Sequence, residues 1–417
     1  MNTISKPAPP DILSPQHARD PYETYRILLE HYPVMFHEGT QSWLVSRHED
    51  VSSLFFNKQV TSDNYSWQLE PVHGRTILQM EGREHTAHRK LLNPFFHGGG
   101  LDRFQPTIRR TAKALVDPIL SREKAAIASG ERSRGQADIA YEFTRMFPIS
   151  VIVEMLDLPR EDHALFERWY VSIMEFLSNL DGSQEPIDSG LRTRQELAEY
   201  LLPVIAARRG GDGEDLISLF CRAEVDGDQL TDEDIRGFVS LTLTAGGETT
   251  DRAISSVFSN LLQHPDQLAA VYENHKLIDD AFAETLRHSP PVHMIMRHAT
   301  EDLELQGVTI PAGSTITCLL AAANRDPRKF ADPDTFDIFR TDNSTERAFR
   351  ASADHVTFVE GRHFCVGAML ALSEVRIGSA LLLDHMKDMK LRDGVIPVEE
   401  GVFTRAPNHV EVTFVPA

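Results

Sequence analysis

Apolar positions recur at helical spacing through most of the chain, and strand-like runs are few and short. From Pro21 the series Tyr22, Tyr25, Leu28 and Leu29 lies on one helical face and ends near Pro33, so a helix is predicted there. The proline-rich residues before it, 1–20, read as an extended arm. Trp43 to Ser46 has the character of a short strand, and Val51 to Phe56 of the next helix. Between Thr61 and Glu81 no period survives. Such a long irregular stretch inside a compact fold is usually functional or mobile. Helical spacing returns over residues 84–96. The basic, small-residue run from Ser121 to Gly135 reads as an exposed connection. Ile139 to Leu158 is an apolar helix, and residues 162–206 form two more helices, broken at Asp181 to Pro186. Arg209 to Gly213 is a surface loop, and Leu303 to Thr309 is strand-like. No repeat and no shift of composition marks a second domain.

One predicted helix is much longer than the rest. Thr231 followed by Asp234 makes a capping-box-like start, and Pro265 ends the pattern after His264. Its middle reads Leu243-Thr244-Ala245-Gly246-Gly247-Glu248-Thr249-Thr250. Each glycine costs about 1 kcal/mol against alanine in a helix interior. A helix that tolerates two in succession needs either close approach of another helix or a local opening. The second alternative is a groove over a cofactor, with Glu248 and Thr249 at its lip.

Composition narrows the classes. An apolar fraction of 41% and a charged fraction of 25% are ordinary for a globular protein. With 42 basic against 62 acidic residues the chain carries −20, which argues against nucleic acid or an anionic membrane as main partner. The three cysteines, Cys221, Cys318 and Cys365, show no paired spacing, so neither a disulfide framework nor a zinc site is expected, and a reducing, cytoplasmic setting is. Residues 1–10 lack the charged-then-apolar order of a signal peptide, so none is expected, and no apolar run is long enough to span a bilayer.

Candidate chemistry centres on Phe358-Val359-Glu360-Gly361-Arg362-His363-Phe364-Cys365-Val366-Gly367-Ala368-Met369-Leu370-Ala371. A thiol between two glycines, directly before a helix-forming run, meets unpaired N–H groups and the positive end of the helix dipole. Both favour the thiolate. Gly361 and Gly367 let the backbone turn and approach something flat. The residues alone allow a buried structural cysteine or an axial ligand to haem iron. The stretch resembles the haem-binding signature of the cytochrome P450 family, F-G-x-G-x-[HR]-x-C-x-G-x-x-L-A. It departs once, at Val359, where the family usually has glycine but is permissive. The departure bears on loop geometry and leaves the ligation untouched.

Further motifs follow in the family's order. The run Glu84-His85-Thr86-Ala87-His88-Arg89 is similar to its H-x-x-x-R helix, although an isolated His/Arg pair at this spacing is ordinarily a solvated face. Ala245 to Thr249 resembles [AG]-G-x-[DE]-T of the oxygen-activating helix. Glu284 and Arg287 match its E-x-x-R. That spacing also occurs at Glu23/Arg26, Glu131/Arg134, Glu142/Arg145 and Glu233/Arg236, for the most part exposed pairs worth under about 1 kcal/mol. Only Glu284 is followed by Pro290-Pro291, Arg297, Ala323-Asn324-Arg325-Asp326-Pro327 and Phe336 to Arg340.

The resemblance covers the chain from about Pro21 onward and implies a mainly α fold with a small β region. It would be one triangular-prism domain over 21–417, with a long central helix over the haem. It implies haem b as cofactor, held by Cys365 at the iron, with propionates at His85, Arg89, Arg297 and His355. Ala245, Phe358, Gly361 and Gly367 would lie against the ring, and Glu284, Arg287 and Arg340 would form a buried structural network. Glu248 would relay protons and Thr249 would place a hydroxyl and a water. The implied reaction inserts one oxygen atom of O2 into a C–H bond of a small molecule. Electrons would come from a ferredoxin and its reductase, because no flavin or iron–sulfur segment is present. A monomeric, bacterial-type enzyme without an N-terminal membrane anchor is expected.

Expected pocket walls are Trp67, Leu78, Leu241, Val292, Ile295 and Phe403, with Tyr65, Trp67 and His293 as polar handles. They suit a medium-sized, mostly apolar substrate. Oxidative ring closure or coupling on the same fold, and a haem-binding sensor without turnover, are the alternatives. An acidic ferredoxin would need a local basic patch on this acidic chain, and Arg89, Lys90, Arg103, Arg109, Arg110 and Arg362 are its candidates, with Arg109 and Arg362 foremost.

Overall fold

Two sets of segments each pack about their own centre in the structure, a computed structural model that describes residues 6–180 and 182–417. The first five residues of the expected arm, and Asp181 in the expected break, lie outside the described residues. One unit comprises the chain up to Asn64 with Ala283–Cys365 and Glu399–Ala406. The other comprises Tyr65–Phe282, Val366–Val398 and Pro407–Ala417.

The first unit is built on a five-stranded sheet, in spatial order Val34–His37, Ser42–Val45, Thr315–Cys318, Ile295–Ala299 and Val60–Thr61. Trp43 pairs in parallel with Ile316, and Cys318 pairs antiparallel with Ile295. Along Ile295–Ala299 burial alternates, so Ile295, Arg297 and Ala299 share the buried face. That face belongs to a core containing Val45, Val51, Leu54, Ile316, Cys318 and Val356. The helix Pro21–His31 buries Tyr25, Leu28 and Leu29, with Asp20 as its cap. The arm ahead of it is not extended throughout. Pro15–Arg19 is a helical turn, because the Ser14 side chain accepts from the His17 N–H and Pro15 occupies the first helical position. The next helix begins at His48, three residues before its predicted start.

Glu284, Arg287 and Arg340 do meet. Arg287 donates to both Glu284 oxygens, at 2.9 and 2.7 Å, and to the carbonyls of Asn324, Pro333 and Thr335. Arg340 Nε and the Asp337 N–H both donate to Glu284 Oε1, at 2.9 and 3.0 Å. A buried charge pair holds only when its remaining hydrogen-bonding groups are also satisfied, and here neighbouring carbonyls and an N–H do that.

The second unit is organised on the helix Asp232–Gln263. Its capping box is formed, with Thr231 and Asp234 bonding each other's backbone N–H. The helix runs unbroken through Gly246 and Gly247. A Cβ at these positions would lie 3.0 Å from Ile152 and 3.5 Å from Ile149 of the helix Phe147–Met155. The glycine pair therefore serves close helix packing, and the local opening is not present.

One other expectation fails here. Ser121–Ala128, the first part of the expected connection Ser121 to Gly135, belongs to the helix Gln105–Ala128. Arg122 and Arg132 of that run serve the buried Glu123, which accepts from them at 2.6 and 3.1 Å and from the Gln136 N–H at 2.9 Å. The Glu233/Arg236 pair is exposed on one side only, with Glu233 keeping 53% of its side-chain surface. Arg236 is buried and also bonds the His73 carbonyl at 3.0 Å. The irregular residues 65–81 contain two helical turns, Tyr65–Gln68 and Glu70–His73, and His73 Nδ1 bonds Ser240 of the long helix at 2.8 Å.

A three-stranded antiparallel sheet completes this unit. Glu411–Pro416 lies in the middle, between Met386–Leu391 and Gly135–Asp138. Among the described residues no helix is long and apolar enough to cross a membrane.

Candidate functional site

The cysteine turn belongs to the first unit. The Cys365 N–H donates to the Phe358 carbonyl at 2.9 Å and the Val359 N–H to the Val356 carbonyl at 2.9 Å, which closes a tight loop around residues 359–364. Val359 has φ +61° and Gly361 φ +69°. The departure from the signature therefore keeps the conformation that glycine would adopt, and a β-branched residue bears it at a cost of about 1–2 kcal/mol. Gly361 is more tightly constrained, because a Cβ there would lie 3.0 Å from the Phe55 carbonyl oxygen. His363 bonds Ser62 at 3.0 Å, which pins the far side of the turn.

Around the turn, Phe358 packs against His355 and Phe364, with ring centroids 6.0 and 6.2 Å apart. His355 is fully buried. Its Nδ1 accepts from the Thr357 N–H at 3.3 Å, while Nε2 has no hydrogen-bond partner among the described residues. Burial pushes its pKa down to about 3, so the ring is neutral. Arg297 is buried on its strand with the guanidinium 5.4 Å from the Phe55 ring. An unsatisfied buried imidazole nitrogen calls for a polar partner. A haem carboxylate would supply one, and the buried Arg297 guanidinium is a cation that suits the same group, so the donors of this unit fit it.

The other cysteines are poor ligand candidates. Cys318 lies in the sheet core, where burial pushes its thiol up to about 12, and burial also raises Cys221. Cys365 is half-buried and stands three residues before the helix Ala368–His385, which Gly367 caps.

The second unit carries the acid and the alcohol. Glu248 is buried, and Arg252 Nε donates to its Oε1 at 2.6 Å. Thr249 Oγ1 donates to the Ala245 carbonyl at 2.7 Å. Ala245 is exposed, and Leu241, Thr242 and Thr249 are partly accessible, on a helix whose other residues are mostly buried. This accessible stripe, at spacing three and four, suits the edge of a cofactor. On the helix Gly82–Phe96, His85 is buried and Arg89 half-buried, with Arg89 Nε donating to Asn93 at 2.8 Å.

Of the pocket residues, Val292 and Phe403 come together, because Val292 bridges to Thr404 and the His293 N–H donates to the Phe403 carbonyl at 2.9 Å. Ile295 lies in the sheet core. Trp67 is 51% exposed, and Leu78 and Leu241 are half-buried. His293 is not a presented handle. It is buried, and its Nδ1 bonds the Tyr25 hydroxyl at 2.9 Å. Among the basic candidates, Lys90, Arg109 and Arg362 are exposed. Arg110 is paired with Glu154 at 2.6 Å, and Arg103 lies over the Phe104 ring at 4.6 Å. Sequence reading missed Arg252, although its spacing of four from Glu248 on a helix was the available signal.

Comparison with known proteins identifies the family of the chain. A family model described as Cytochrome P450 matches residues 23–414. Pulcherriminic acid synthase of Bacillus subtilis is 34% identical over 405 residues, which cover 97% of each chain. Cytochrome P450 monooxygenase PikC of Streptomyces venezuelae is 33% identical, over 91% of this chain and 87% of its own. Among solved structures, cytochrome P450 CYP109Q5 from Chondromyces apiculatus superposes with a TM-score of 0.83 at 29% identity, covering 98% of both chains. P450BioI, in complex with an acyl carrier protein bearing hexadec-9Z-enoic acid, has a TM-score of 0.83 at 27% identity, over 96% of this chain and 100% of that one.

Proposed function

The chain belongs to the cytochrome P450 family and is a monooxygenase of that family; we propose that it inserts one oxygen atom of O2 into a C–H bond of a medium-sized, mostly apolar small molecule of bacterial secondary metabolism. The observation that carries the reading is the turn around Cys365, closed by backbone hydrogen bonds and set directly before a helix.

Cys365 would hold the iron of haem b, and His85, Arg89, Arg297 and His355 would hold its carboxylates. Phe358, Gly361, Gly367 and Ala245 border it. When bound, the haem supplies a dioxygen-activating iron whose thiolate ligand favours O–O cleavage. The chain's own residues control protons and position. Glu248 takes a proton from solvent and releases it toward the substrate side, a movement that requires its Oε1 to leave Arg252. Thr249 exchanges its bond to the Ala245 carbonyl for one to a water, and so sets the point at which that proton is delivered. Val292, Phe403, Leu241 and the residues near Trp67 and Leu78 orient the substrate and exclude bulk water.

Similarity to pulcherriminic acid synthase over the whole length supports a small natural product as the outcome, with pulcherriminic acid as the first product to test. A ferredoxin, fed by its reductase, is the proposed electron donor, with exposed Arg109 as a contact. The protein works as a monomer in the cytoplasm.

The test is a screen of natural-product precursors, including that of pulcherriminic acid, read first by the haem spin-state shift and then by product mass with labelled O2. Label in the product supports oxygen insertion. A product without added oxygen would transfer the reading to oxidative ring closure or coupling.

A further inference from the structure

Glu248 is not alone on its helix face. Asp251 and Ser255 follow at spacing three and seven, so the three side chains form one polar stripe along Asp232–Gln263. Thr144, at the end of the short helical turn Ala140–Thr144, bridges the lower part of it. Its Oγ1 lies 2.5 Å from Asp251 Oδ1 and 2.7 Å from Ser255 Oγ. Arg252, between Asp251 and Ser255 in sequence, donates to Glu248. From the neighbouring elements Arg145 acts on Asp251, Tyr170 of the helix His163–Leu177 feels the charges of Asp251 and Glu248, and Arg145 pairs with Glu167 at 2.6 Å. Exposure is graded along the set. Arg145 keeps 44% of its side-chain surface and Glu167 23%, Asp251 is partly accessible, and Glu248 keeps 7%. Exposure thus falls from the Arg145–Glu167 pair through Asp251 to the acid beside Thr249.

We propose that Asp251 is a second proton-holding residue of this enzyme, which takes protons from solvent beside the Arg145–Glu167 pair and passes them to Glu248. The proposal rests on the reading of Glu248 as the proton relay. On one helix face, residues three apart have β-carbons about 5–6 Å apart, a gap that one water bridges. In each transfer the Asp251 carboxyl loses a proton, the Glu248 carboxylate gains it, and solvent restores it to Asp251. No electrons move. The surrounding protein lends this its working range, since burial pushes Asp251 up to about 6 even though the Thr144 hydrogen bond acts in the opposite direction. A carboxyl of ordinary pKa would be empty at neutral pH. This one holds a proton for part of the time.

Two measurements on the haem-loaded enzyme test it. Infrared titration should show a protonated carboxyl band that disappears near pH 6 in the wild type and is missing in Asp251→Asn, a substitution that keeps an acceptor for Thr144. Thr144→Val, which removes the bond that lowers the pKa, should move the band's midpoint upward. In turnover, the wild-type rate should fall as pH rises through 6, with a solvent isotope effect. Asp251→Asn should be several-fold slower and lose that inflection, and Asp251→Glu should recover part of the rate. Glu248→Gln separates the two readings. If it slows turnover while Asp251→Asn keeps the wild-type rate and inflection, the role of Asp251 is overturned and the relay reading stands. If Glu248→Gln changes nothing, the relay reading falls first. A wild-type spectrum with no carboxyl titrating near pH 6 also overturns the proposal, whichever variants fold.

Discussion

On the proposed function the turn around Cys365 and the middle of the helix Asp232–Gln263 divide the chemistry between them, and they are built by opposite means. In the turn the backbone does the shaping. Val359 and Gly361 both occupy the left-handed region, two backbone hydrogen bonds close the loop, and little is left for side chains to decide. In the helix the backbone is regular and unbroken, and the chemistry resides in rotamers. Glu248 bonds Arg252, and Thr249 bonds the carbonyl four residues back. A ligand position must not move, whereas a proton carrier must, and each is encoded accordingly. Substitutions in the turn should therefore affect cofactor retention and stability, and those in the helix should affect coupling.

The largest expected effect is at Cys365. Cys365→Ala should abolish the red-shifted carbon monoxide band of the reduced enzyme and all turnover, whereas Cys221→Ala keeps both. Loss of the band in Cys221→Ala would place the ligand elsewhere. Next comes Thr249→Ala, which should keep the fold, the band and substrate affinity while product formed per electron consumed falls several-fold and peroxide accumulates. Unchanged coupling would remove the hydroxyl from the mechanism.

Smaller effects divide the turn itself. Gly361→Ala places a Cβ against the Phe55 carbonyl at positive φ and should cost about 1–3 kcal/mol, with part of the haem lost on gel filtration. Val359→Gly relieves about 1–2 kcal/mol of strain but adds chain entropy to the unfolded state and removes packing against the sheet core, so stability should change by less than about 1 kcal/mol. Comparable losses from both would mean that the turn is held by side chains after all. The last effect is a pH slope away from either region. Burial, reinforced by Arg236, holds His73 down to about 3 in the fold, below its ordinary value of 6.5. The unfolded chain therefore binds the extra proton. Stability is complete above about pH 6.5 and declines as pH falls toward 3, and His73→Gln should flatten that slope by one proton in denaturant titrations across the window.

The sequence revealed what depends on near neighbours. Thr231 and Asp234 announced the long helix, whereas the network of Glu284 with Arg340, 56 residues away, was expected from the family resemblance and from no local pattern. The glycine pair signalled a need for space, but only the fold shows that Ile149 and Ile152 occupy it. What stayed hidden depends on distant partners. Ser121–Ala128 looked exposed because nothing local reveals that Glu123 is buried and collects the nearby arginines. Arg110 looked like a docking charge because Glu154 is 44 residues away. His293 looked available because Tyr25, 268 residues distant, was invisible to any local pattern. The strands of the small antiparallel sheet were missed because each is short, and Gly135–Asp138 finds its partner across most of the chain.

That small sheet also sets a timetable for biogenesis. Its middle strand, Glu411–Pro416, leaves the ribosome after both neighbours, and neither can pair until it arrives. Gly135–Asp138 must wait while about 270 further residues are synthesised, on the order of 15–55 s at 5–20 residues per second. Throughout that interval the nascent chain presents an unsatisfied β-edge to chaperones and to other nascent copies. The yield of native protein in a cell should therefore depend on translation speed over the stretch of message between these two strands.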